Sequence, residues 1–291
     1  MFFGSIPALI TPFSGGRVAE DTFREFVEWQ IAEGSNGLVP CGTTGEVATL
    51  TRDEHREVVA LVVQVANGRV PVIAGCGNYS TAASLEMIRA AADVGADAAL
   101  VVVPYYNKPS QAGLAAHFLE LAEHSPLPIM VYNVPSRTVA DISVETLEKV
   151  AKHPKIVAIK DATGNLGRVS AQRLACGEDF CQLSGNDDMA LGFSAMGGVG
   201  CISVTANVAP RLCSDFQKAM REGRWNEALK LQDRLYPLHA ALFSDASPAP
   251  TKYALSRLKN GFPADLRLPL VDASDASKRA VDAALEHAGL I

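Results

Sequence analysis

Between Ser5 and Glu222 a short apolar run followed by an amphipathic stretch recurs eight times, and no other feature limits the fold as tightly. The apolar runs span residues 5–11, 37–39, 70–74, 98–103, 128–132, 156–160, 180–183 and 200–204. Such near-continuous apolar runs read as parallel strands buried on both faces. The stretches between them carry helical spacing, as in Phe23, Phe26, Val27 and Ile31, or Val58, Leu61, Val62 and Val65. Asp21 and Ser143 stand where N-caps belong, and Thr51 with Glu54 three residues on forms a capping box. Further helices are predicted over 81–94, 111–123, 166–176, 187–196 and 208–222. Strands alternating with helices make a parallel sheet. Eight units in roughly 220 residues predict a closed (β/α)8 TIM barrel, for which about 250 residues is typical. The alternative is a doubly wound open sheet, disfavoured because no G-x-G-x-x-G follows the first strand.

After Gly223 the alternation stops. Residues 225–243, 250–259 and 273–288 read as three helices, with Pro248, Pro250, Pro263 and Pro269 at the joins. The expected organisation is a catalytic barrel over 1–223 and a three-helix C-terminal extension over 224–291. A net charge of −6 without a basic tract argues against nucleic acid, and no stretch is long and apolar enough to span a bilayer. The apolar start MFFGSIPALITPF lacks a basic flank and reads as a first strand, not a signal peptide. The six cysteines are scattered without a C-x-x-C, which suits reduced thiols and a cytoplasmic location. The six histidines are dispersed, so no metal site is expected.

In a barrel the chemistry collects where strands end. Residues 156–164 read IVAIKDATG and run an apolar strand straight into Lys160. An ammonium among apolar walls loses hydration, which favours the neutral amine. A neutral amine in a dry pocket attacks carbonyl carbon and forms a Schiff base. The competing reading is a lysine that reaches solvent or pairs with Asp161. Other strand ends supply GTTGE at 42–46, YYNKP at 105–109, YNVPSRT at 132–138 and SGND at 184–187. Thr43 and Thr44 offer hydroxyls and backbone N–H groups suited to a carboxylate. Tyr132 could move protons, and Arg137, in a Pro-containing loop, could hold a carboxylate bidentately. The Tyr105–Tyr106 pair suits an interface. Cys41 has no matching histidine and reads as buried and structural. Asp187 reads as a helix N-cap, and GGVG at 197–200 is a weak phosphate-loop signal because it precedes a strand.

Together GTTGE, YNVPSRT and the lysine strand IKDATGN resemble the dihydrodipicolinate synthase / N-acetylneuraminate lyase family of class I aldolase-like barrels, over essentially the whole chain. YNVPSRT with its arginine resembles the dihydrodipicolinate synthase branch; members that cleave sugar acids usually lack that arginine. The resemblance implies condensation of pyruvate with L-aspartate 4-semialdehyde to 4-hydroxy-tetrahydrodipicolinate, in lysine (diaminopimelate) biosynthesis. It implies that Lys160 condenses with pyruvate and that Thr44, Tyr132 and Tyr106 form a hydroxyl relay, Tyr106 coming from a neighbouring subunit. Thr43 and Thr44 would bind the pyruvate carboxylate and Arg137 that of the semialdehyde, with Gly185 and the Ile202 carbonyl lining the pocket. No metal or organic cofactor is implied, since a protonated imine is itself the electron sink. The implied assembly is a homotetramer of tight dimers. Competing readings are another pyruvate-dependent aldolase, acting on a sugar acid or 4-hydroxy-2-oxoacid, and a non-catalytic keto-acid sensor. At the positions of the family's lysine-inhibition site, His55 and Tyr105 match, while Val47, Arg52, Tyr79 and Ala83 depart. Ala83 removes a carboxylate and Val47 a hydroxyl, so feedback inhibition by L-lysine is expected to be weak or absent.

Overall fold

The computed structural model describes residues 2–291. The first unit comprises β1 (Gly4–Pro7), a hairpin of β2 (Phe13–Ser14) and β3 (Arg17–Val18), and helices α1 (Glu20–Ala32) and α2 (Arg52–Ala66). Next come β4 (Ile73–Gly75), α3 (Thr81–Asp93), β5 (Ala98–Val102), α4 (Gln111–His124), β6 (Ile129–Asn133), α5 (Pro135–Thr138) and α6 (Val144–Ala151). The chain continues through β7 (Ile156–Asp161), α7 (Gly167–Cys176), β8 (Cys181–Ser184), α8 (Ala190–Ala195), β9 (Gly200–Ser203) and α9 (Pro210–Arg221). Helices α10 (Trp225–Ala241), α11 (Ala249–Leu258) and α12 (Asp275–Ala288) close it, matching the three helices predicted after Gly223.

Seven strands form one parallel sheet in the order β1-β9-β8-β7-β6-β5-β4. The run at 37–39, expected as a strand, makes only two isolated parallel bridges, Leu38 to Val72 and Val39 to Ala8. Those bridges still join the two edges of the curled sheet. Val39 N–H donates to Pro7 O at 3.0 Å, and Leu38 N–H to Pro71 O at 2.9 Å. Pro7, Pro40 and Pro71 bring no N–H, and Cys41 turns left-handed at φ 55, so the ladder stops after two residues.

Side chains alternate across the sheet with period two. Ile6, Leu100, Met130, Ala158, Leu183 and Ile202 share the concave face. Ile129, Val131, Ile159 and Cys201 face the helices, in a cluster with Leu114, Phe118 and Leu147. Local signals account for the helix starts. Thr51 and Glu54 form the complete capping box on α2, and Ser80, Ser110, Ser143 and Ser274 each cap a helix. Asp21 does not cap α1: the N-cap is Ala19, and Glu20 and Asp21 occupy the first turn, where carboxylates meet the positive end of the helix dipole. Gly15 and Gly16 both take positive φ (57 and 78), the backbone of a tight hairpin turn, which pairs Phe13 with Val18.

Candidate active site

Alternation along β7 decides where the lysine points. Lys160 has the parity of Ala158 and faces the concave side; its Cα pairs with Tyr132 on β6 and Leu183 on β8. Its side chain is 6% exposed, and Nζ stands 4.2 Å from the Tyr132 ring centroid. Among the described residues no carboxylate lies within ion-pair reach of it. Asp161 takes the opposite face. One of its carboxylate oxygens accepts from Thr163 N (2.9 Å) and Oγ1 (2.6 Å), the other from Gln172 Nε2 (2.7 Å) and Arg168 Nε (3.2 Å). The pairing of Lys160 with Asp161 is thereby excluded.

Gly185 follows β8 and donates its N–H to Asp161 O at 2.7 Å. A Cβ there would lie 3.1 Å from Lys160 Cε and 2.7 Å from Ala162 Cβ. Its φ is not left-handed, so glycine is required for space: the lysine stem runs where a side chain would be. Ile202, 1% exposed, pairs with Ile6 and belongs to the same buried cluster as Tyr132 and Leu183.

The GTTGE segment is a tight turn. Gly45 N–H donates to Gly42 O and Glu46 N–H to Thr43 O, both at 3.1 Å. Thr11 Oγ1 donates to Gly45 O at 2.8 Å, and a Cβ on Gly45 would meet Leu9 O at 2.9 Å. Thr44 is 6% exposed, whereas Thr43 is exposed. Arg137 lies on the single turn of α5 instead of an open loop. Pro135 at its start presets helical φ, and Thr138 Oγ1 donates to Ala140 O at 2.7 Å. The Arg137 side chain is exposed and has no carboxylate partner among the described residues.

A cleft of about 740 Å3 opens beside these elements, walled by Thr43, Glu46, His55, Tyr105 and Arg137 and, from the C-terminal segment, by Ser247, Pro269 and Leu270. Lys160, Tyr132, Thr44, Gly185 and Ile202 are not part of its wall. His55 is buried with Nε2 2.8 Å from Gly75 O, and burial holds its pKa below the usual histidine range. Tyr105 is half-buried, edge-on to Tyr79 at 5.4 Å, and burial raises its phenol pKa. Tyr106, its neighbour, is 87% exposed and does not line this cleft. Arg52 and Glu86 form an ion pair over the same cleft, near Ala83.

Asp187 is not a helix cap. Its buried carboxylate accepts from Ser203 Oγ, Val204 N (2.9 Å) and Thr205 N (3.3 Å), and so fixes the end of β9 beside Ile202. Cys41 is buried and its thiol pKa is pushed well above the ordinary value by desolvation, which agrees with a structural role. Nothing in the local sequence marked Asp187 as a partner of Ser203, or Glu46 as a partner of the distant Lys252, 2.6 Å away.

These features define an α/β enzyme with a sheltered lysine, free of a carboxylate partner among the described residues, at the carboxyl ends of parallel strands. The chain belongs to the dihydrodipicolinate synthetase family, whose sequence profile matches residues 1–288. It is 66% identical over 290 residues to a 4-hydroxy-tetrahydrodipicolinate synthase of Rhizorhabdus wittichii, covering all of both chains. It is also 66% identical, again over the full length of both, to the protein of that name from Zymomonas mobilis. Among solved structures it resembles the chloride-inhibited dihydrodipicolinate synthase of Acinetobacter baumannii complexed with pyruvate: TM-score 0.96, 41% identity, complete coverage of both chains.

Proposed function

We propose that this protein condenses pyruvate with L-aspartate 4-semialdehyde to 4-hydroxy-tetrahydrodipicolinate, in the lysine (diaminopimelate) pathway. The observation that carries the reading is Lys160, 6% exposed, without a carboxylate partner among the described residues, and set against the Tyr132 ring at the end of β7. Its amine attacks the keto carbon of pyruvate and water leaves, giving a protonated imine. Loss of a methyl proton gives the enamine, which adds to the aldehyde, and the new alkoxide takes up a proton. The amino group of the semialdehyde then displaces Lys160 from the imine carbon, closing the ring and freeing the enzyme.

Thr44, Tyr132 and Tyr106 carry the protons in this scheme. Contact between Lys160 and the Tyr132 ring and the burial of Thr44 support the first two. The 87% exposure of Tyr106 supports its donation to a neighbouring subunit. Thr43 and Thr44 hold the pyruvate carboxylate, and Arg137, on the cleft wall and without a carboxylate partner among the described residues, that of the semialdehyde. Gly185 and Ile202 shape the space around the lysine. The sheet is read as a closed eight-stave barrel with Leu38–Val39 as the short stave, on the strength of its bridges to both edges. Residues 1–223 form the barrel and 224–291 the helical extension. The assembly is a homotetramer, and six free thiols favour the cytoplasm.

Incubation with pyruvate and borohydride followed by peptide mass spectrometry tests the reading. The expected result is one adduct on Lys160, absent from Lys160→Ala, with turnover on aspartate semialdehyde. Folded protein that forms no adduct refutes it.

A further inference from the structure

Glu46 has no part in the reaction proposed above, yet its carboxylate is wholly enclosed and tied to the C-terminal segment. One oxygen lies 2.6 Å from Lys252 Nζ, and both side chains are 0% exposed. The other accepts from the Arg267 backbone N–H at 3.1 Å, across 221 residues of chain. Lys252 Nζ also donates to Asp265 O at 2.7 Å and stands 4.3 Å from the Phe13 ring centroid. The Arg267 guanidinium lies 4.3 Å from the same centroid. It donates to Thr49 O (3.0 Å), Gly16 O (2.7 Å) and both oxygens of Glu54 (2.8 and 2.5 Å).

A buried ion pair is a weak source of stability, since apolar residues of similar volume often serve as well. What it supplies here is register, because each charge has one satisfactory partner position. Glu46 needs such a restraint: its backbone is left-handed (φ 55), an uncommon state for a side-chain-bearing residue. It also closes the turn through its own N–H to Thr43 O at 3.1 Å. A shift of Glu46 therefore moves Thr43 and Thr44 directly. We propose that Lys252 and Arg267, acting through Glu46, are positioning residues that hold the Thr43–Thr44 turn in its keto-acid-binding shape. The proposed function enters this inference only in naming the ligand at the turn.

The paired variant Glu46→Gln/Lys252→Met removes both charges at near-constant volume, so neither is left buried alone. Three readouts are compared with the parent: thermal midpoint, amide exchange over residues 44–47, and the pyruvate concentration giving half-maximal borohydride trapping on Lys160. The expected variant melts near the parental temperature, exchanges faster over the turn, and needs roughly 10- to 100-fold more pyruvate, as for a reacting group displaced by about 1 Å. Its maximal trapping is unchanged. Parental half-saturation and exchange in the folded variant overturn the proposal. Arg267→Gln, at the rim of the network, decides the matter if the paired variant does not fold: the same rise is expected, and parental values overturn it. A parent that traps no pyruvate refutes the proposed function instead, and the exchange of residues 44–47 then decides the positioning role by itself.

Discussion

Replacing Gly185 by alanine tests whether the space around Lys160 is what its chemistry requires. The added methyl would sit 2.7 Å from Ala162 Cβ and 3.1 Å from Lys160 Cε. Carbon atoms settle at about 3.5 Å or beyond, so Ala162 has to yield by about 0.8 Å and the lysine stem by about 0.4 Å. Overpacking of this kind costs typically about 1–3 kcal/mol of stability. The backbone itself is unstrained by the change, because φ at Gly185 is not left-handed. The larger effect falls on Nζ, which a bent stem carries off its line of approach to the keto carbon. Misplacement approaching 1 Å lowers the rate by up to about 100-fold, so a 10- to 100-fold fall in the trapping rate is expected. That is about 1.4–2.8 kcal/mol of barrier. Rapid-quench borohydride trapping measures the rate, and thermal unfolding measures the stability. A Gly185→Ala protein that loses stability but traps pyruvate at the parental rate refutes the assignment of Lys160 as the reacting amine.

Arg137→Leu is expected to raise KM for aspartate semialdehyde roughly tenfold or more, the worth of a charged hydrogen-bonded contact, with pyruvate trapping unaltered; a shift in pyruvate half-saturation instead would contradict the assignment. Tyr106→Phe and Lys160→Ala proteins, each inactive alone, are expected to regain partial activity when mixed under subunit exchange, and no recovery would place Tyr106 in its own subunit's site. His117 is buried 2.9 Å from Thr81 Oγ1, and burial lowers its pKa from 6.5 to about 4. The unfolded chain therefore binds the proton first: the contribution is fully present above about pH 6.5 and is lost as pH falls towards 4, at most about 3 kcal/mol. In His117→Phe, urea unfolding should show a flatter dependence over that window, and an unchanged slope would count against the burial argument. L-lysine is expected to inhibit weakly or not at all, since Ala83 and Val47 offer it neither charge nor hydroxyl; inhibition below millimolar concentration in steady-state assays would disprove this.

The elements and the buried lysine at the end of β7 were legible in the chain because their signals are local. A period of two or of 3.6, a serine before a helix, or a lysine ending an apolar run each depends on residues a few places apart. Thr51, Ser143 and Lys160 were readable for that reason. Boundaries were less so where three-dimensional pairing cut a strand short, as at Leu38–Val39, or where Pro135 converted an expected loop into a turn of helix.

Sequence alone determined the alternation of strands and helices, the amphipathic faces and the gathering of polar groups at strand ends. Tertiary structure alone decided which of those groups meet. The curl of the sheet brought Gly185 against the Lys160 stem, turned Asp161 away towards Arg168 and Gln172, and set Asp187 on the end of β9. It also set Lys252 on Glu46, two residues with nothing in common along the chain. Buried charges and close-packed carbons select partners by distance in space, and that distance exists only once the sheet has curled and the C-terminal helices have docked.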